Sequence, residues 1–185
     1  MSHAKPVRHA LSRRHFLTAT LGVSGALAAR QLRATDAPRT LALFGMHTRE
    51  YLDVEYYRAG RYLPDALAQI DNALRDHREN ASIAMDVRLL DLLHTIGVSL
   101  NTRAPFRFIS GYRTEKTNEA LRAAGRGVAK HSFHTVGRAI DILPPEVPLA
   151  DLVFTARLAG VGGVGQYTRR GFVHLDTGPV RHWVR

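Results

Sequence analysis

The sequence predicts an α+β fold: a single domain with a central, mainly antiparallel sheet flanked by helices. Three observations carry this. The 185 residues suit one domain of ordinary size with a tail. Short apolar runs with twofold alternation are mixed with stretches of helical period. The order of these segments is mixed rather than strictly alternating, which argues against a doubly wound parallel sheet. No internal repeat is visible.

Residues 29–40 are small and polar and read as a linker. Leu41–Phe44 and Tyr51–Tyr57 read as two strands around a polar turn, with Leu52 and Val54 alternating with Tyr51, Asp53 and Glu55. Arg58-Ala59-Gly60-Arg61 breaks the second strand. Pro64 opens a helix with Leu67, Ile70 and Leu74 on one side. Asp86 caps a second helix, with Leu89, Leu90, Leu93 and Ile96 apolar and Gly97 as its expected stop. Phe106–Ser110 is a short strand, and Thr114 caps a helix to about Ala124. Arg138–Leu143 is a strand stopped by Pro144-Pro145. A helix runs from Pro148 to Gly160. Gly162–Tyr167 and Phe172–Asp176 read as a closing hairpin.

Composition narrows the function classes. At 45% hydrophobic residues the chain is not a disordered polymer. No window of 18 apolar residues is free of charge, so no standard membrane span is expected. The absence of cysteine excludes a disulfide scaffold, a thiolate nucleophile and any cysteine-ligated metal. The net charge of +10 invites a nucleic-acid reading. Its distribution argues otherwise, because Lys5, Arg8, Arg13 and Arg14 put four of those units into residues 1–28, which hold no acid. There a basic start is followed by the apolar Phe16–Ala28 and ends on Ala26-Leu27-Ala28, an export signal with its cleavage site. Ser12-Arg13-Arg14-His15-Phe16-Leu17 resembles the twin-arginine signal, which implies a periplasmic protein away from nucleic acid. Residues 41–185 then form the working domain.

The chemistry concentrates in two segments, 130–142 and 171–178. Side chains alternate along a strand. Ala139 and Asp141 therefore share one face of the first strand, and Phe172, His174 and Asp176 share one face of the second. Asp141 and His174 are expected on the same side of one sheet, and His134 can swing over it through a turn at Gly137. An ionised carboxylate among apolar residues needs a partner. Two histidines and one carboxylate form a catalytic zinc set with a fourth position for water. On spacing alone, a buried His–Asp hydrogen bond without metal explains the pattern equally well.

Ser132-x-His134-x-x-Gly137-x-Ala139-x-Asp141 followed by His174-x-Asp176 resembles the zinc peptidase clan of the D-Ala-D-Ala carboxypeptidases and dipeptidases, which shares its fold with hedgehog proteins. It is most similar to the MepK-like murein endopeptidases. The likeness extends to Gly60–Pro64, Asp76-His77-Arg78, Arg88–Leu93, Ile109–Thr114 and Gly163-Val164-Gly165. The resemblance implies zinc (Zn2+) on His134, Asp141 and His174 and hydrolysis of peptide cross-links in peptidoglycan by zinc-activated water. It implies that Arg113 acts in catalysis and substrate binding, stabilising a developing oxyanion or a carboxylate. Tyr112 and Ser132 are expected beside the substrate, with Ser132 as a hydrogen bonder and not a nucleophile.

One departure from the wider clan concerns the general base. Many members carry an acid three residues before the last histidine ligand, where this chain has Gly171. Asp176 is the nearest replacement, either taking the proton from water or only orienting a ligand. His131 is a further candidate. Release of terminal D-Ala, or wall binding without hydrolysis, are the competing functions on the same fold.

Overall fold

A computed structural model describes residues 37–185; the export signal expected at 1–28 and the linker up to residue 36 lie outside the described residues. Eight strands form one sheet: β1 (Arg39–Gly45), β2 (Tyr51–Arg58), β3 (Arg61–Tyr62), β4 (Phe106–Ser110), β5 (Ala139–Leu143), β6 (Gly163–Tyr167), β7 (Phe172–Asp176) and β8 (Arg181–Val184). Four helices accompany them: α1 (Pro64–Ala73), α2 (Val87–Ser99), α3 (Glu115–Ala123) and α4 (Leu149–Leu158). The strand order is β3-β2-β1-β4-β5-β7-β6-β8. Only β1–β4 and β6–β8 pair in parallel. The α+β architecture read from the sequence is the one found.

Helices α1, α2 and α4 pack on β2, on β1 and on β6–β7. The core between them holds Leu43, Ile70, Leu89, Leu90, Leu93, Ile96, Ile140, Ile142, Leu152 and Leu175, all with no exposed surface. Each such side chain contributes roughly 1.5–3 kcal/mol relative to exposure. Ile140 and Ile142 of β5, and Val173 and Leu175 of β7, face this core. The alternating residues Asp141 and His174 are thereby forced to the opposite face of the sheet.

Both expected N-caps form. The Asp86 carboxylate accepts from Arg88 N and the Thr114 hydroxyl from Thr117 N. Four local expectations need correction. Gly97 does not stop α2, which continues to Ser99. A Cβ there would lie 3.5 Å from the Phe106 ring, so β4 packs closely against this turn and the helix gains from continuing. Residues 58–61 turn rather than simply break: Ala59 and Gly60 take positive φ and return the chain as β3. Arg39 and Thr40, expected as linker, already belong to β1. The C-terminal Arg181–Val184, given no element above, pairs with β6 as the edge strand.

Candidate active site

Three segments meet on the open face of β5 and β7. Asp141 and His174 are direct cross-strand partners in the antiparallel register. His134 arrives from a 3-10 turn, Phe133–Val136, which follows β4 and α3 in the chain and precedes β5. Ser132 caps that turn, its hydroxyl accepting from His134 N at 3.3 Å. Gly137 ends it at φ 68°, and a Cβ there would lie 2.7 Å from Ala84 O. A side chain at 137 would meet both strain and collision, so glycine alone lets the chain fold His134 back over β5.

The three donor atoms converge. His174 Nδ1 lies 2.9 Å from Asp141 Oδ1, and His134 Nε2 lies 3.3 Å from each of them. The opposite nitrogens are engaged. His134 Nδ1 sits 2.6 Å from Gly111 O, and His174 Nε2 sits 2.9 Å from Asp176 Oδ2. Protons on those nitrogens leave the lone pairs of His134 Nε2 and His174 Nδ1 turned toward Asp141. Two neutral imidazoles and a carboxylate, each imidazole held by an acceptor behind it, are a donor set that suits a divalent metal, zinc in particular. Among the described residues this is the one such group of three.

Arg113 completes the carboxylate's surroundings. Its Nη2 pairs with Asp141 Oδ2, its Nε donates to Ser110 Oγ at 2.6 Å, and its backbone N donates to His134 O at 3.1 Å. Burial opposes ionisation of Asp141, yet His134, His174 and Arg113 hold its pKa well below the usual carboxylate range. Burial pushes His134 down, which keeps it neutral and available as a ligand. His174 shifts up, because hydrogen bonds to Asp141 and Asp176 outweigh burial.

These groups form the floor of an open cleft of about 730 Å³. Of the residues singled out from the sequence, His134, Asp141, His174, Arg113, Ser132 and His131 line it. Asp176 does not. It is fully buried and accepts from Gly163 N at 3.1 Å, Gly178 N at 2.8 Å and the Arg181 guanidinium at 2.7 and 3.0 Å, besides His174. Against the effect of burial, these bonds hold its pKa low. Tyr112 lies outside the cleft as well: it is half-buried against the core, and its backbone N donates to Leu74 O at 2.8 Å. Gly171, in place of the expected acid, takes φ 68° at the end of the turn between β6 and β7. Asp141 is the cleft's one side-chain carboxylate among the described residues.

Some members of the site went unread in the sequence. The Gly111 carbonyl leaves no side-chain signal, although Gly111 is itself constrained: a Cβ there would lie 2.5 Å from Leu74 O. Trp183 of β8 is different, since a lone tryptophan near the terminus already suggests a core or groove residue rather than a catalyst; it forms a wall of the cleft, its ring 5.4 Å from that of His174. Arg126, Arg170, Arg181 and Arg185 also line the cleft, and only the arginine-rich endings at 169–170 and 181–185 hint at them.

A family model described as peptidoglycan L,D-endopeptidase MepK matches residues 33–183. The peptidoglycan L,D-endopeptidase MepK of Escherichia coli strain K12 is 42% identical over 150 residues, covering 81% of this chain and 82% of that protein. The probable peptidoglycan L,D-endopeptidase MepK of Haemophilus influenzae is 39% identical over 151 residues, covering 81% of each. No solved structure matches the chain significantly. The family match runs from before the first strand into the last and takes in all three converging donors, so the chain belongs to the peptidoglycan L,D-endopeptidase MepK family.

Proposed function

We propose that the protein is a zinc-dependent endopeptidase that hydrolyses peptide cross-links in peptidoglycan, with the selectivity for L,D linkages that its relatives' names describe. The observation that carries this reading is the convergence of His134 Nε2, Asp141 Oδ1 and His174 Nδ1 on the floor of an open cleft. These three would hold the metal. When bound there, zinc supplies Lewis acidity, polarising an amide carbonyl and lowering the pKa of a water toward neutrality.

The chain's own groups do the rest. Asp176 is a positioning residue: it holds the proton on His174 Nε2 and so presents Nδ1. Arg113 fixes the Asp141 carboxylate through Oδ2 and, lining the cleft, offers Nη1 to a developing negative charge. Ser132 sets the turn that carries His134. With Asp176 saturated and away from the cleft, His131 and His47 are the cleft-wall imidazoles outside the ligand set that can accept a proton.

Residues 1–28 act as a twin-arginine export signal and 29–38 as the linker ahead of the peptidase domain, which places the enzyme in the periplasm with its substrate. Among the described residues no helix is long and apolar enough to cross a membrane.

The test is digestion of muropeptide dimers of defined linkage, read by product mass, with zinc supplied. Loss of the L,D-linked dimer is expected, slowed more than about a hundredfold in His174→Ala, beyond the effect usual for a residue behind the ligands. Persistence of every dimer would overturn the reading. Release of D-Ala alone would convert it to a carboxypeptidase, and wall binding without products to a binding module.

A further inference from the structure

The cleft is strongly one-sided in charge. Six arginines line it, Arg78, Arg113, Arg126, Arg170, Arg181 and Arg185, against the side-chain carboxylate of Asp141 and the main-chain carboxylate of Arg185. Two of the six are neutralised by acids: Arg113 by Asp141 and Arg181 by Asp176. Three others gather at one end. Arg185 Nη1 donates to Gly127 O at 2.8 Å, which ties the last residue of the chain to the loop that carries Arg126. A main-chain carboxylate oxygen of Arg185 accepts from both Thr168 N at 2.8 Å and Thr168 Oγ1 at 3.0 Å, which ties it to the short turn that carries Arg170 and leaves the three guanidiniums in excess of that one negative charge. None of Arg126, Arg170 and Arg185 makes an ion pair with an acid among the described residues.

Like charges held together at a cleft repel unless a ligand neutralises them. A cleft lined by one sign of charge also focuses its field on an incoming ion of the other. Arginine presents a planar fork that matches a carboxylate in two hydrogen bonds. Hydrolysis of a peptide cross-link needs no positive charge at a distance from the reacting carbonyl, so these three side chains are surplus to the chemistry.

We propose that Arg126, Arg170 and Arg185 form a carboxylate-reading subsite. It selects cross-linked stem peptides whose carboxyl groups beside the scissile amide are free over those in which they are amidated. The inference rests on the peptidase reading above and names a substrate class for the same cleft. The turn carrying Arg170 and the loop carrying Arg126 close the two sides of this subsite, and Arg185 bridges them.

The experiment pairs two measurements on the full-length, zinc-loaded protein. The first is kcat/KM on two dimers of one linkage, one with free carboxyls and one with those carboxyls amidated. The second is the Kd, by calorimetry, of the matching monomeric stem peptides, which have no cross-link to cut. The wild type is expected to favour the free-acid forms about tenfold in both, as several partly exposed ion pairs allow. That preference is expected to fall to about one in the Arg126→Gln/Arg170→Gln double variant and to return in Arg170→Lys relative to Arg170→Gln. Equal handling of acid and amide forms by the wild type, or a preference untouched by the double variant, overturns the subsite. Failure to cut either dimer overturns the peptidase reading instead, and the calorimetric preference still decides the subsite.

Discussion

Asp76 and Asp141 are buried carboxylates served by adjacent residues of one segment, Thr114 for the first and Arg113 for the second. Asp76 accepts from Thr114 N at 2.9 Å, Thr114 Oγ1 at 3.1 Å and Arg78 N at 3.0 Å. Asp141 meets only side chains of this kind: the two imidazoles and Arg113. Both carboxyls overcome burial and are held below the ordinary carboxylate range. A lowered pKa therefore does not separate architecture from chemistry. The partners do. The amides and threonine hydroxyls around Asp76 belong to the neighbouring chain and turn inward on it, so Asp76 clamps the start of α3 to the turn after α1. The imidazole lone pairs around Asp141 face a cleft and can be shared with a metal.

Three changes probe that contrast, from the largest effect to the smallest. Asp176→Asn strikes the chemical side from behind. The amide no longer stabilises the His174 tautomer that presents Nδ1, and metal affinity is expected to fall about 10–100-fold, read by competition with a chelator. An unchanged affinity would remove Asp176 from the positioning role. Asp76→Ala strikes the architectural side. Three donors lose their acceptor, and unfolding in urea should show a loss of about 3 kcal/mol, with chelator competition on the folded protein changing far less than in Asp176→Asn. A metal defect as large as that of Asp176→Asn would show that the supports of Asp76 and Asp141 are not separable.

The smallest effect is expected from acid. Burial raises the Asp86 carboxyl, but hydrogen bonds from Arg88 and Thr177 more than reverse this and bring it to about 2. A carboxyl depressed on folding contributes stability that is full above its unfolded value and is lost as pH falls toward the folded one. The urea midpoint of the wild type should therefore drop between about pH 4 and pH 2, and Asp86→Asn should flatten that slope. Equal slopes in the two proteins would remove Asp86 from the acid response.

Much of this was legible because it is local. Alternation placed Asp141 and His174 on one face, and the caps at Asp86 and Thr114 follow from the side chain alone. The grouping of His134, Asp141 and His174 needed only strand period and a glycine turn. What escaped is what depends on distant parts of the chain. Gly97 reads as a stop in isolation, and the Phe106 ring packed beside it becomes visible only in three dimensions. The two-residue β3 and the edge strand β8 are too short, and β8 too exposed, to show a period. The saturation of Asp176 by Gly163, Gly178 and Arg181 turns on backbone amides and on a strand that the sequence hid. Without it, the two roles weighed for Asp176 were indistinguishable.

The cross-strand pairing of Asp141 with His174 makes the site a checksum on assembly. Were β5 and β7 to pair one residue out of step, one of the two side chains would turn into the helix-covered core and the other would face an isoleucine, a valine or a leucine. Such a molecule has no cleft to load. Metal bound at this address would thus certify that Asp141 and His174, 33 positions apart, have found their correct register. Because the unfolded chain offers no such address, the free energy of loading would be added to the correctly paired molecule alone.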